Sequence, residues 1–182
     1  QLHEHGLLRA SFRPRDAIVG IRAYLRHQER LGDYAASHIQ HMQKALMQMN
    51  LQLHHVVSDI TGVTGMKVIR AIVDGNHDPA ALAEFRDCRC KASKRTIAEA
   101  LTGNYREEHL FALGQSLDLY DFYQTKIVEC DQQIEAILTR LNLDRKAPTE
   151  ALPKKRHARN RNEPRFDLRS ALYTLVGADL SQ

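Results

Sequence analysis

The side chains best suited to chemistry in this 182-residue chain are ten histidines, three cysteines and a scatter of acids. Metal chemistry needs such ligands gathered at fixed intervals. His3 and His5 are separated by one residue, His38 and His41 stand three apart, and His54 and His55 are neighbours that cannot share one helical face. None is joined by Cys or carboxylates in a zinc pattern. Cys88-Arg89-Cys90 lacks the spacing of a Cys-x-x-Cys motif. Gly62-Val63-Thr64-Gly65 is too short for a phosphate loop and is not followed by Lys-Ser/Thr. No Gly-x-Ser-x-Gly occurs, and no acidic cluster suggests a Mg²⁺ site or an acid/base pair. The residues therefore predict no catalytic centre, no metal site and no cofactor within this stretch.

The basic side chains are more informative. The formal net charge is +4, yet Asp144 to Arg165 alone carries eight Lys/Arg against three Asp/Glu, a local +5. Inside it lies Lys154-Lys155-Arg156-His157-Ala158-Arg159-Asn160-Arg161. Phosphate backbones attract such clusters and release a counterion for each phosphate neutralised. Arg can grip a phosphate through two parallel hydrogen bonds. Lys154, Lys155, Arg156, Arg159, Arg161 and Arg165 are thus candidate nucleic-acid contacts. The plainer reading is a solvated linker that aids solubility. Pro148, Pro153 and Pro164 and the lack of an apolar period make 144–165 a flexible basic linker. No aromatics interleave with these cations, so base stacking is not expected from this segment. Arg15, Arg22, Arg26 and Arg30 form a second basic stripe, of a kind that is more often a solvated helix face.

Two apolar ladders must position this segment. Stepping by three and four from Ile18 gives Ile21, Leu25, Gln28, Gly32, Ala35, Ile39, Met42, Leu46, Met49, Leu53, Val56 and Ile60, interrupted only by Gln28 and Gly32. A 3.5-residue period held this long predicts a coiled-coil helix of roughly 64 Å. It reads as continuous through Gly32, with a break at Gly32-Asp33 as the fallback. A second ladder runs through Leu110, Leu113, Leu117, Tyr120, Gln124, Ile127, Asp131, Ile134, Leu138 and Leu141. Gln124 and Asp131 interrupt it, either fixing register and partner or marking where the seam opens to solvent. The core seam, within a hairpin or between copies, is expected at Ile39, Met42, Leu46, Met49, Leu53, Leu113, Leu117, Tyr120, Ile127, Ile134 and Leu138.

Between the ladders, Thr61 to Gly65 reads as a turn and Met66 to Asp74 as a short helix ended by Gly75. Asp78 caps another that opens with Pro79, and Ser93 caps a third that Gly103 stops. No strand alternation is apparent. The fold class is all-α: a long antiparallel coiled-coil helical hairpin over 14–143, with a small helical cap at 61–105 and the basic segment after it. Residues 1–13 read as a linker, and a short helix in 166–182 begins a further domain. A hairpin with so narrow a core is expected to bury its outer face against a second copy. The odd, unframed cysteine count fits reduced thiols in a cytoplasmic setting. No apolar run approaches the ~20 residues of a membrane span, and no signal peptide is visible. The start at Gln1 without Met suggests a piece of a longer protein.

Four stretches carry a family resemblance. They are Leu2 to Pro14, HIQHMQKALMQMNLQLHHVVSDITGVTG from His38 to Gly65, TIAEALTGNYREEHLFALGQSLDLYDFYQ from Thr96 to Gln124, and LPKKRHARNRNEPRFDLRSALYTLVGADLSQ from Leu152 to Gln182. They resemble the DEDD-type, RuvC-like insertion-sequence transposases, related to the Piv invertase and including bridge-RNA-guided recombinases. The resemblance implies the coiled-coil middle of a bacterial enzyme of DNA transposition. The family's four metal-binding acids would lie before Gln1 and its serine nucleophile beyond Gln182, so no catalytic residue carries over and Ser181 is not that nucleophile. Mg²⁺ or Mn²⁺ is implied for the full-length relative only. The implied partners are DNA, guide RNA and further copies of the chain in a dimer or tetramer. The competing expectation is a structural coiled-coil adaptor for a protein partner.

Overall fold

A computed structural model describes residues 16–143, 152 and 163–178. Among these residues every regular element is helical, as the periodicity predicts: α1 (Asp16–Gln48), α2 (Leu53–Val56), α3 (Val63–Val73), α4 (Pro79–Ala83), α5 (Lys94–Ala100), α6 (Glu107–Asn142) and α7 (Leu168–Val176). The chain divides into two compact units. The central unit is Arg30–Ile127, and the terminal unit combines Gln1–Glu29 with Val128–Gln182.

The central unit holds the main core. Met42, Ala45, Leu46 and Met49 of α1 and its end pack with Ile69 and Ile72 of α3, Leu82 of α4, Ile97 of α5 and Leu113, Leu117 and Tyr120 of α6. The short helices therefore contribute a substantial part of the core, rather than forming only a small cap on two rods. Each fully buried Leu, Ile or Met contributes about 1.5–3 kcal/mol of burial, so this cluster dominates the unit's stability. The expected ladder is only partly the buried face. Leu31, outside it, is buried, whereas Ile39 is only partly covered.

Helix α1 runs through Gly32 without a break, but it does not reach Ile60 as its ladder predicts. It ends at Gln48 because Asn50 takes a left-handed φ of 58°. Leu51 N–H then donates to the Leu46 carbonyl and Asn50 N–H to the Met47 carbonyl, both at 2.9 Å. Those bonds satisfy end carbonyls that would otherwise lack donors, while Leu51 is buried in the same core. The chain leaving α1 is held by Gln52 N–H on Ala100 O and by Asn104 N–H on Met49 O, each at 2.8 Å. Gly103 sits in that crossing, where a Cβ would collide with the Met49 carbonyl oxygen.

Local signals place the short helices well. Asp78 accepts from Ala80 N–H at 3.1 Å with Pro79 in the first turn, and Ser93 Oγ accepts from Thr96 N–H at 3.1 Å. Gly75, with φ 91°, closes α3. The turn expected at Thr61 to Gly65 is shorter, since α3 already starts at Val63. Gly65 lies there against the Ile60 carbonyl, again with no room for a Cβ.

In the terminal unit, Cys130, Asp131, Ile134 and Leu138 of α6 are buried. A Cβ on Gly20 of α1 would rest 3.6 Å from Ile137 Cδ1, an ordinary packing distance. Leu25, in the expected ladder, is instead 44% exposed. α7 is capped by Asp167, which accepts from Ser170 N–H, and is fastened to the end of α6 by Asn142 Nδ2 donating to Ala171 O at 3.0 Å.

Candidate nucleic-acid interface

Lys154, Lys155, Arg156, Arg159 and Arg161 lie outside the described residues. Arg165, the last of the set, is described and exposed. Its backbone N–H donates to Asp131 Oδ2 at 2.9 Å, so the residue that closes the basic stretch is tied to α6. Gln28 Nε2 donates to the other carboxylate oxygen, Oδ1, at 2.7 Å. Asp131 is 3% exposed, and a carboxylate so buried needs hydrogen-bond partners on both oxygens. One comes from the α1 side chain that interrupts the first ladder, the other from the returning chain. Of the second basic stripe, Arg22 and Arg26 are exposed on α1 in the terminal unit and Arg30 is exposed in the central unit, while Arg15 lies outside the described residues.

The expected seam residues are distributed over both units. In the central unit Met42, Leu46, Met49, Leu53, Leu113, Leu117 and Tyr120 are buried within a single chain, and Ile39 and Ile127 are half-buried. In the terminal unit Ile134 and Leu138 are buried. Their burial comes from contacts inside one chain, so it makes no demand for a partner.

A polar cleft of about 450 Å³ opens in the central unit between 55–64 and 87–92. Two carboxylates line it, and both are occupied. Asp59 Oδ1 accepts from Thr61 N–H at 2.8 Å and from Thr61 Oγ1 at 2.6 Å. Asp87 Oδ1 accepts from the side chain of Arg89 at 2.9 Å and from its backbone N–H at 3.0 Å. Those bonds lower the Asp87 carboxyl to about 2, the side-chain bond from Arg89 acting most strongly. Such a carboxylate is a poor proton acceptor at neutral pH. The loop itself is held by Arg86, whose guanidinium donates to the carbonyls of Ala92 and Cys90, both at 2.6 Å. The cleft is therefore a braced loop rather than an arrangement poised for acid/base work.

Among the described residues no group of three or more His, Cys, Asp or Glu is placed to hold an ion. Cys88 is exposed, Cys90 is half-buried with its thiol on the Val56 carbonyl, and Cys130 is buried. Burial pushes the Cys130 thiol upward, assisted by Asp131 and Glu129. Among the described residues no helix is long and apolar enough to cross a membrane.

Sequence reasoning missed an aromatic cluster on the central unit. Tyr34 and His38 of α1 meet Tyr123 of α6, with ring centroids 5.5 Å and 5.6 Å apart. His41 stands edge-on to His38 at 5.5 Å, Phe122 edge-on to Tyr123 at 5.5 Å, and the Lys126 ammonium lies 5.6 Å over the Phe122 ring. The signal was present as Tyr34, His38 and His41 at helical spacing, but its other half lies on a distant segment. No family model matches the chain, no curated protein matches it, and no solved structure matches it.

Proposed function

We propose that this chain is the oligomerisation and nucleic-acid-positioning region of a DEDD-type, RuvC-like DNA transposase or site-specific recombinase. In this reading α1 and α6 form an antiparallel coiled-coil hairpin, and the run from Lys154 to Arg161 contacts the phosphates of DNA or a guide RNA. The observation that carries it is the bond from Arg165 N–H to Asp131, which ties the end of the basic stretch to a helical scaffold. A cationic tract fastened at its base can hold a bound strand in a set place, at lower ordering cost than a free tail. The pairing of Gln28 with Asp131 supports the hairpin, since a polar pair in an apolar seam specifies register. Exposed Val19 and Leu25 in the terminal unit are apolar surface available to a second copy.

The chemistry of transposition lies elsewhere in this reading. The resemblance puts the Mg²⁺ or Mn²⁺ ligands before Gln1 and the serine nucleophile after Gln182. The role left to this region is to bind, to space and to associate. Fluorescence anisotropy with labelled duplex DNA and a structured RNA tests it. Binding by the wild type that weakens at least tenfold when Lys154, Lys155, Arg156, Arg159 and Arg161 become Ala is expected. An absence of binding would favour a coiled-coil adaptor for a protein partner. Sedimentation at tens of micromolar tests self-association, and a strict monomer would remove that part of the proposal.

A further inference from the structure

We propose that His38 makes the contact between α1 and α6 in the central unit sensitive to pH, the contact loosening when the imidazole takes up a proton. The proposal stands apart from the nucleic-acid reading above. His38 of α1 is stacked on Tyr123 of α6, with ring planes at 16°. Tyr34, one turn earlier on α1, leans on the same Tyr123 ring at 45°. The stack borders the main core. Ala35 and Met42 of α1 and Tyr120 of α6 are buried, and Ile39 and Tyr123 pack against that cluster. What happens at His38 therefore acts on packed helices and not on a free surface.

The observation that carries it is Nδ1 of His38, which is buried and has no hydrogen-bond partner among the described residues. In the neutral ring that nitrogen can be the bare one, with the hydrogen on Nε2. In the cation both nitrogens carry a hydrogen, so a charged N–H is left in a buried place without an acceptor. No carboxylate is at hand to offset it. On α1 the neighbour is His41, edge-on at 5.5 Å, whose own cation would repel a second one. Asp33 and Lys44 lie five and six residues away, on other faces of the helix. From α6, Tyr123 presents its ring, Lys126 lies one turn further on, over Phe122, and Asp121 is bound through both oxygens to Arg70 of α3. The Tyr123 face attracts a cation, but that is the smaller effect, because it does not replace the hydrogen bond to water that the buried N–H gives up. Burial, then His41, holds the His38 imidazole below its ordinary value of 6.5. Folded His38 thus takes up a proton less readily than the unfolded chain does. The contact is intact above about pH 6.5 and loses stability as pH falls from there through the folded value.

Two measurements on the full chain test this. NMR titration of the assigned imidazole signals gives the His38 midpoint. A midpoint below 6.5 is expected, moving up toward 6.5 in His41→Gln. Urea denaturation at about pH 7.5 and about pH 5 reads the coupling to folding. The wild type should lose stability on acidification, and His38→Phe, which keeps a ring on Tyr123 but cannot titrate, should lose less. The other nine histidines are common to both proteins, so the comparison isolates His38. A His38 midpoint at or above 6.5 overturns the proposal, because stacking on Tyr123 then favours the cation. Equal losses in the wild type and His38→Phe also overturn it, because protonation of His38 is then not felt by the packed helices. Should His38→Phe fail to fold, the wild-type midpoint and its response to His41→Gln decide the question without it.

Discussion

Gln28 Nε2 donates to Asp131 Oδ1 at 2.7 Å, joining the polar interruptions of two otherwise apolar ladders. Arg165 N–H occupies the second oxygen of the same carboxylate. Asp131→Ala leaves both donors without an acceptor in a buried site and should cost about 1–3 kcal/mol, read by urea denaturation. Replacing Gln28 and Asp131 together with Leu should recover part of that loss, because only the Arg165 N–H then lacks an acceptor. Equal losses in the single and double variants would show that the bond does not join the two helices.

Three glycines should respond in opposite directions. Gly65→Ala and Gly103→Ala drive a Cβ into the carbonyls of Ile60 and Met49. Each should destabilise by roughly 1–3 kcal/mol. Gly32→Ala meets nothing within 4 Å inside the continuous helix α1. It should stabilise by up to about 1 kcal/mol. Thermal melts of the three variants order them, and a destabilised Gly32→Ala would mean that α1 needs to bend there.

The Asp87 carboxyl predicts a pH response of the 86–92 loop. Its bonds to Arg89 lower it from 3.8 to about 2. A group lowered on folding adds stability above its unfolded value and loses that contribution as pH falls through its folded value. The loop should therefore hold at neutrality and loosen between about pH 4 and pH 2. Carboxyl carbon shifts in NMR should place the Asp87 midpoint near 2, and Arg89→Ala should return it toward 3.8. An unchanged midpoint in that variant would assign the shift to another cause.

The three thiols should react in order of access. Cys88 is exposed, whereas Cys130 is buried and its thiol is pushed upward by that burial. Iodoacetamide at pH 8 should label Cys88 first and reach Cys130 only on unfolding. Fast labelling of Cys130 in the native protein would contradict the packing of the terminal unit.

What the sequence made legible was local. Asp78 with Pro79, Ser93 and Gly75 each carry their cap geometry in one or two residues, so those helix ends could be read directly. The end of α1 could not, because Asn50 lies within an unbroken ladder and its left-handed turn is stabilised by burying Leu51. Gln28 and Asp131 each stood out as a polar break, but a repeat on one strand does not state its register against another. Their meeting is a tertiary fact, as is the stacking of His38 on Tyr123. The core at Ile69, Leu82 and Ile97 was underestimated because each short helix looks too small to bury anything alone.

Nucleic-acid binding through the clustered cations is the proposal on which the functional reading of the chain depends. The salt dependence of duplex affinity tests it most directly, measured for the wild type and for the variant with Ala at Lys154, Lys155, Arg156, Arg159 and Arg161. The logarithm of affinity should fall steeply against the logarithm of salt in the wild type, and the slope should shrink by about one for each cation removed. A slope that is the same in both proteins would show that these cations do not hold the phosphates.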